Sequence, residues 1–394
     1  MPTRPCWVEI RTQSLEQNYR FLQSLAAPHA ELLAMVKADA YGHSLALCAP
    51  PLVRAGAQWL GVTSVEEGVA ARALCPEARI LIVSGVFPGQ GAEAVGNSLT
   101  CVAWDPWQLD ELEQAAKAAG APPRSVPIHL EIDTGMSRQG VSPENLSTIL
   151  PRFHAQSPLK LEGVMTHLFA ADEADGIATD QQFAQLDRAL ETIKGANLQP
   201  AWLNVGQSAA LLAGRTGQIA NLASRFGMKP MLRPGLSLFG VAPAFDPDFE
   251  EVPAGVSAAH HRLQPVLTWK TAVASVRSVA RGAVIGYNGT FVATEPMRLA
   301  LVPAGYADGL DRRLGNRFSL LVRGQRAPLV GRVSMDQSVL DVTEIQGVQP
   351  GDEVVILGTQ GEEIITAFDH AHATGTIPWE VFTRIGPRVQ RLEV

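Results

Sequence analysis

The chain has 394 residues, of which 46% are hydrophobic and 18% charged, and its formal net charge is -7. These proportions exclude a disordered chain, and an acidic sequence without a lysine-arginine block argues against nucleic acid as a partner. The length suffices for two domains with a substantial core.

No stretch is apolar over the length a bilayer requires, and the opening MPTRPCWVEIRTQ lacks the apolar run of a signal peptide, so no membrane partner is expected. Cys6, Cys48, Cys75 and Cys101 show no metal-ligand spacing. They read as reduced thiols of a cytoplasmic protein.

In chain order, short apolar runs recur at 32–36, 59–63, 80–83, 99–102, 126–132, 161–166, 201–205 and 231–239. Stretches rich in Ala, Leu, Gln and Glu separate them, among them 14–25, 64–74, 106–119, 143–154 and 179–194. Cap signals such as Asp105-Pro106 and Ser142-Pro143 open several of these. Eight strand–helix alternations within roughly 250 residues predict a (β/α)₈ barrel. An open doubly wound sheet is the rival, disfavoured by the eight units and by the lack of a Gly-x-Gly-x-x-Gly turn. Residues 242–259 read as a linker rich in Pro, Ala, Asp and Glu. Strand-like runs follow at 266–279, 298–302, 319–322, 327–333, 338–342 and 353–357, broken by turns such as Tyr287-Asn288-Gly289 and Pro350-Gly351-Asp352. The expected fold class is α/β: an N-terminal TIM-like (β/α)₈ barrel over 1–245 and a C-terminal mostly-β domain over 246–394.

The ends of the predicted barrel strands carry polar residues. Lys37 follows the first, Arg138 the fifth, His167 the sixth, Gln207 and Ser208 the seventh, and Arg233, Gly235 and Leu236 surround the eighth. Taken singly, His167 reads as a core-edge histidine, Arg138 as a solvated arginine, and Gly206 with Ser208 as a strand end and helix cap. On a barrel, however, strand ends share one rim. An amine, two cations, an imidazole and small residues whose backbone N–H groups can face phosphate suit an anionic, phosphorylated ligand. An amine that meets an aldehyde forms a Schiff base. Phosphate grip plus lysine therefore suggests pyridoxal 5'-phosphate.

Six motifs carry a resemblance. They are Val36-Lys37-Ala38-Asp39-Ala40-Tyr41-Gly42-His43, Asp133-Thr134-Gly135-Met136-Ser137-Arg138, Thr166-His167, Arg233-Pro234-Gly235, Gly305-Tyr306-Ala307-Asp308-Gly309 and Val333-Ser334-Met335-Asp336-Gln337. Through them the chain resembles the alanine racemases, pyridoxal-phosphate enzymes of fold type III. The resemblance implies interconversion of L- and D-alanine, a source of D-alanine for peptidoglycan precursors, in a homodimer with shared sites. It implies that Lys37 carries the cofactor and is one of two bases, with Tyr306 the other on the opposite face of the substrate. Tyr41, Ser208, Gly235 and Leu236 would hold the phosphate, Arg138 would lie near the phenolic oxygen, His167 near the ring and Arg233 at the pyridine nitrogen. Met335 would receive the substrate carboxylate through its backbone, with Arg138 beside it and Asp336 in support. Tyr306 and Met335 would come from the second subunit. No metal is implied.

Four positions depart from the family pattern. Trp379 stands where a tyrosine usually touches the phosphate and lines the entrance, and an indole can donate but not accept. Glu131 stands where many members carry a lysine, often carbamylated, that positions the arginine matching Arg138. A carboxylate can pair with guanidinium in the same way. Gln207 replaces an asparagine, and residues 211–232 are longer than the usual connection, for which a surface or interface role is the default. A racemase for other or more amino acids, serine for example, is the near alternative. A non-catalytic pyridoxal-phosphate barrel would lack the β-domain and the Tyr306 motif. A decarboxylase of this fold would need cysteine and acidic motifs in the β-domain, whereas every cysteine precedes residue 102.

Overall fold

A computed structural model describes residues 4–245 and 252–394. The first strand, β1 (Cys6–Ile10), lies outside the barrel. The barrel is built from β2 (Glu31–Met35), β3 (Trp59–Val62), β4 (Arg79–Ile82), β5 (Thr100–Ala103), β6 (Val126–Glu131), β7 (Leu159–Met165), β8 (Trp202–Gln207) and β9 (Lys229–Arg233). Every neighbouring pair is parallel, and β2 pairs with both β3 and β9, which closes the cylinder. Strands covered on both faces need apolar residues at every position rather than at alternate ones. All of Trp59-Leu60-Gly61-Val62 and of Thr100-Cys101-Val102-Ala103 is accordingly buried.

Rings close one end of the barrel. Trp59 on β3 and Trp202 on β8 meet edge to face with centroids 5.7 Å apart, and His129 on β6 lies 5.8 Å from Trp59. These strands are not neighbours in the cylinder, so the rings meet in its interior. Trp59 and Trp202 are the first residues of their strands, which puts the plug at the amino-terminal end. Arg79, the first residue of β4, stacks 3.8 Å over the Trp59 ring and ion-pairs with Glu162. Gly163 faces His129 across β6 and β7, and a Cβ there would lie 2.6 Å from the imidazole Cε1. The carboxyl-terminal rim is left for chemistry.

The chain divides into two compact units. The barrel unit is Gln13–Ala40 with Leu45–Gln264; the β-rich unit joins Pro265–Val394 to the N-terminal residues through Thr12 and to Tyr41–Ser44. Within the β-rich unit, β1 pairs antiparallel with β10 (Leu267–Ala272) and parallel with Gln390–Glu393, in a sheet that also holds Glu353–Gln360, Ser319–Val322 and Gln325–Pro328. The strand Met297–Val302 lies between Ser275–Val279 and Ser338–Asp341 in a second sheet. Among the described residues no helix is long and apolar enough to cross a membrane.

Several sequence expectations change in detail. The run at 231–239 ends as a strand at Arg233, and Leu236–Phe239 forms a 3₁₀ turn, because Pro234 has no N–H for the ladder. The helix expected at 143–154 breaks into short turns around Pro143 and Pro151. The linker reading of 242–259 gives way in part to a helix, Ala254–Arg262, while residues 246–251, beside the 245/246 division, lie outside the described residues. Residues 211–232 contain the helix Thr216–Arg225, which lies in the crossover between β8 and β9.

Candidate active site

Lys37 lies two residues past the end of β2 and is half-buried at the carboxyl-terminal rim. The chain then makes a left-handed turn, with Ala38, Asp39, Ala40 and Tyr41 all at φ between 52° and 55°. L-residues resist that conformation at about 1–2 kcal/mol each, so the surroundings must impose it. Glu67 does so in part: one carboxylate oxygen accepts from Ala38 N–H at 2.6 Å and the other from Thr63 N–H at 2.9 Å. Asp39 accepts from Leu45 N–H at 2.6 Å, and Ala40 N–H donates to Val36 O at 2.9 Å. Lys37 is thereby fixed at a braced corner. Burial lowers its pKa, and the charges of Arg138 and Arg233 lower it further, against a smaller opposing effect of Glu67.

Arg233 is buried at the end of β9, and groups from β8 and from the residues just after β7 hold it. It donates to Asn204 O at 2.8 Å, to Asn204 Oδ1, to Thr166 O at 2.8 Å and to His167 Nδ1 at 3.0 Å. No carboxylate is among these partners. Burial brings its pKa down to about 10, with Glu131 opposing and Arg138 reinforcing the fall. Guanidinium cannot accept a hydrogen bond, so Nδ1 of His167 must accept, and the ring proton of a neutral imidazole then sits on Nε2. Burial, followed by the charges of Arg233, Arg138 and Lys37, pushes His167 down to about 3, which keeps it neutral.

Ser208 begins the short helix Ser208–Leu212 and is buried. Its hydroxyl oxygen accepts from Gly235 N–H at 3.0 Å and Ser237 N–H at 3.4 Å, which leaves its own proton to donate. Leu236 is buried, and its N–H has no acceptor among the described residues. Gln207 donates to Leu168 O at 3.0 Å. Glu131 is buried at the end of β6 and accepts from Gln139, which also donates to Val83 O. Its hydrogen-bonding partner is thus Gln139 rather than Arg138. Arg138 is exposed and makes no hydrogen bond or ion pair among the described residues; it acts on Glu131 only through space. Burial raises Glu131 to about 7, with Gln139, Arg233 and Arg138 opposing the rise.

The β-rich unit carries the other predicted residues. Tyr306 opens the 3₁₀ turn Tyr306–Asp308, is 42% exposed, and its hydroxyl has no partner among the described residues. Tyr306 N–H donates to Ser334 O at 3.0 Å, and Ala307 N–H to Met335 O at 3.0 Å. Met335 N–H has no acceptor among the described residues, and the side chain is exposed. Asp336 is exposed and ion-pairs with Arg388 at 2.8 Å. Tyr41 is buried, which raises its pKa. Trp379 is half-buried in the helix Pro378–Thr383. Sequence reasoning passed over Glu67, Asn204 and Gln139. Asn204 was visible as a polar residue inside an apolar strand run, whereas Glu67 and Gln139 gave no signal of their own.

Residues 10–243 match the family model "Alanine racemase, N-terminal domain" and residues 266–393 match "Alanine racemase, C-terminal domain". The chain belongs to the alanine racemase family. The alanine racemase of Syntrophobacter fumaroxidans is 35% identical over 384 residues, 96% of this chain and 95% of its own. The solved alanine racemase of the D-cycloserine producer Streptomyces lavendulae has a TM-score of 0.88 at 32% identity, covering 100% of this chain and 98% of that one. That of Bartonella henselae, solved with covalently bound pyridoxal phosphate, has a TM-score of 0.80 at 25% identity and 99% coverage of both chains. The barrel and the mostly-β domain expected from sequence are thus those of the alanine racemase family.

Proposed function

We propose that the chain is a cytoplasmic, homodimeric, pyridoxal 5'-phosphate-dependent racemase that interconverts L- and D-alanine, with Lys37 and Tyr306 as its two bases. One observation carries the reading: in a chain of this family, the Lys37 amine stands at a braced barrel rim with its pKa lowered by burial, Arg138 and Arg233. The donor set suits the cofactor. Lys37, Arg138 and Arg233 bring positive charge to one rim, and the buried Leu236 N–H and the Ser208 proton await an acceptor. An anionic phosphate would meet them. When bound, the cofactor supplies the electron sink that acidifies the α-C–H.

The chain's own residues supply the rest. A lysine with lowered pKa is neutral more of the time near pH 8 and can take a proton at Nζ on one face of the α-carbon. The free Tyr306 hydroxyl suits the opposite face. The unpaired Met335 N–H fits a substrate carboxylate, with Arg138 as the cation beside it. Arg233 donates but cannot readily surrender a proton, so a ring nitrogen facing it would stay unprotonated. That would restrain side reactions such as transamination. His167, neutral and bound to Arg233, fixes the direction of that guanidinium.

The test uses the purified holoenzyme, screened for loss of optical rotation with alanine, serine and larger amino acids. Alanine should be turned over fastest; a better rate with larger side chains would favour the broader racemase and point to Trp379. Lys37→Ala should abolish covalent, reducible attachment of the cofactor, and retention of it would defeat the Lys37 assignment. Tyr306→Phe should impair proton transfer far more than cofactor binding.

A further inference from the structure

Asp308 lies two residues after Tyr306, and its side chain is fully buried although it carries charge. Four donors saturate it. Arg4 grips both carboxylate oxygens, at 2.8 Å for Oδ2; Arg388 Nε donates to Oδ1 at 2.7 Å; and Gly305 N–H donates to Oδ2 at 2.8 Å. Burial alone would raise its pKa, but these hydrogen bonds outweigh burial and lower it. The carboxylate is therefore favoured as an anion, held by Arg4 and Arg388.

Both arginines reach past Asp308 to the Met335 loop. Arg388 ion-pairs with Asp336 Oδ1 at 2.8 Å and donates to Met335 O at 3.4 Å. Arg4 donates to Pro303 O at 2.9 Å and Asp336 O at 3.3 Å. The two loops also lie backbone to backbone, since a Cβ on Gly305 would come within 2.3 Å of Met335 O. The bond from Tyr306 N–H to Ser334 O has a directional consequence. Ser334 C=O and Met335 N–H belong to one planar trans peptide, so they point opposite ways. Holding the carbonyl toward Tyr306 aims the free Met335 N–H away from the Tyr306 backbone. The position of the hydroxyl and the direction of that N–H are parts of one rigid piece.

We propose that Asp308, clamped by Arg4 and Arg388, is a positioning residue that locks Tyr306 and the Met335 N–H into a single block. The block keeps a fixed spacing between the proton-transferring hydroxyl and the carboxylate donor. This rests on the roles given to Tyr306 and Met335 above. A bidentate guanidinium–carboxylate pair sets angle as well as distance. Arg4 makes such a pair with Asp308, and the single bond from Arg388 Nε holds the same anion from a second direction, which leaves the turn little freedom.

The experiment measures kcat and KM for alanine in both directions on holoenzyme variants, with cofactor content and thermal midpoint recorded. Arg388→Met removes the contacts to Asp308, Asp336 and Met335 from a partly exposed side chain. It should lower kcat/KM about 10- to 100-fold, as a displacement near 1 Å does, with cofactor content unchanged. Asp308→Asn, which keeps the shape and loses the charge, should act in the same direction, and Arg388→Lys should recover part of the loss. On a Tyr306→Phe background the kcat component of Arg388→Met should vanish while the KM component remains, because the latter runs through Met335. A merely structural role would add unchanged on both backgrounds. Arg388→Met and Asp308→Asn enzymes with kcat and KM within about twofold of the parent, while Tyr306→Phe is impaired, would overturn the clamp alone. An unimpaired Tyr306→Phe would remove the two-base reading, and the clamp with it.

Discussion

His129 lies wholly inside the barrel, against Trp59 and Gly163, with neither ring nitrogen hydrogen-bonded among the described residues. Glu162 is 4.0 Å away but already engaged by Arg79. Burial, then the charges of Arg79 and Arg233, pushes the imidazole down to about 3 from an ordinary 6.5. The native state therefore binds fewer protons than the unfolded state below pH 6.5. Stability from this group is complete above 6.5 and is lost as pH falls toward 3. At about 1.36 kcal/mol per pH unit, the loss is about 3 kcal/mol by pH 4.5 and approaches about 5 kcal/mol at the limit. His129→Leu removes the titration without removing a hydrogen bond. Urea midpoints followed by circular dichroism at pH 7.5 and 4.5 measure the effect. The variant should match or exceed the parent at pH 7.5 and lose about 3 kcal/mol less on going to pH 4.5. If both proteins weaken equally with acid, the buried imidazole is not the source of acid lability.

Other predictions follow the same logic. Glu131 is raised to about 7, so its contribution is complete below about 4.5 and lost as pH rises through 7; Glu131→Gln should gain about 3 kcal/mol over the parent at pH 8, read from the same midpoints. Gly163→Ala should cost about 1–3 kcal/mol by overpacking, and a second change, His129→Ala, should relieve part of that loss in thermal melts. If sites are shared across a dimer, co-expressed Lys37→Ala and Tyr306→Phe chains form mixed dimers with one intact site, so activity should reappear; continued silence would place both bases in one chain. Gly309→Ala, at φ 109° with a Cβ 2.5 Å from Arg384 O, should destabilise the Tyr306 turn and lower kcat at unchanged cofactor content.

The barrel was legible because most of its strands are short, largely apolar runs, and burial on both faces favours that pattern. Lys37, Arg138, His167, Ser208 and Arg233 were singled out because strand ends share a rim. What lay hidden depends on contacts between distant segments. β1 reads as a few apolar residues and becomes a strand only beside β10 and Gln390–Glu393. The left-handed turn after Lys37 contains no glycine in its first four residues, so no turn chemistry announced it; Glu67, 29 residues on from Ala38, helps to impose it. Arg4 and Arg388 look like solvated arginines until Asp308 is seen between them. Gln139 takes the hydrogen bond to Glu131 that a charge-pairing argument would have given to Arg138.

The placement of β1 also bears on the order of assembly. Its partners are encoded more than 250 residues later, and Val394 N–H closes onto Ile10 O at 3.0 Å. The barrel is an insertion within the β-rich unit, so a nascent chain can complete its eight parallel strands while β1 still has two unpaired edges. Synthesis must reach the final residues before both edges are covered. A truncation of only the last five residues would uncover a strand edge at the opposite terminus, an invitation to pair with another chain.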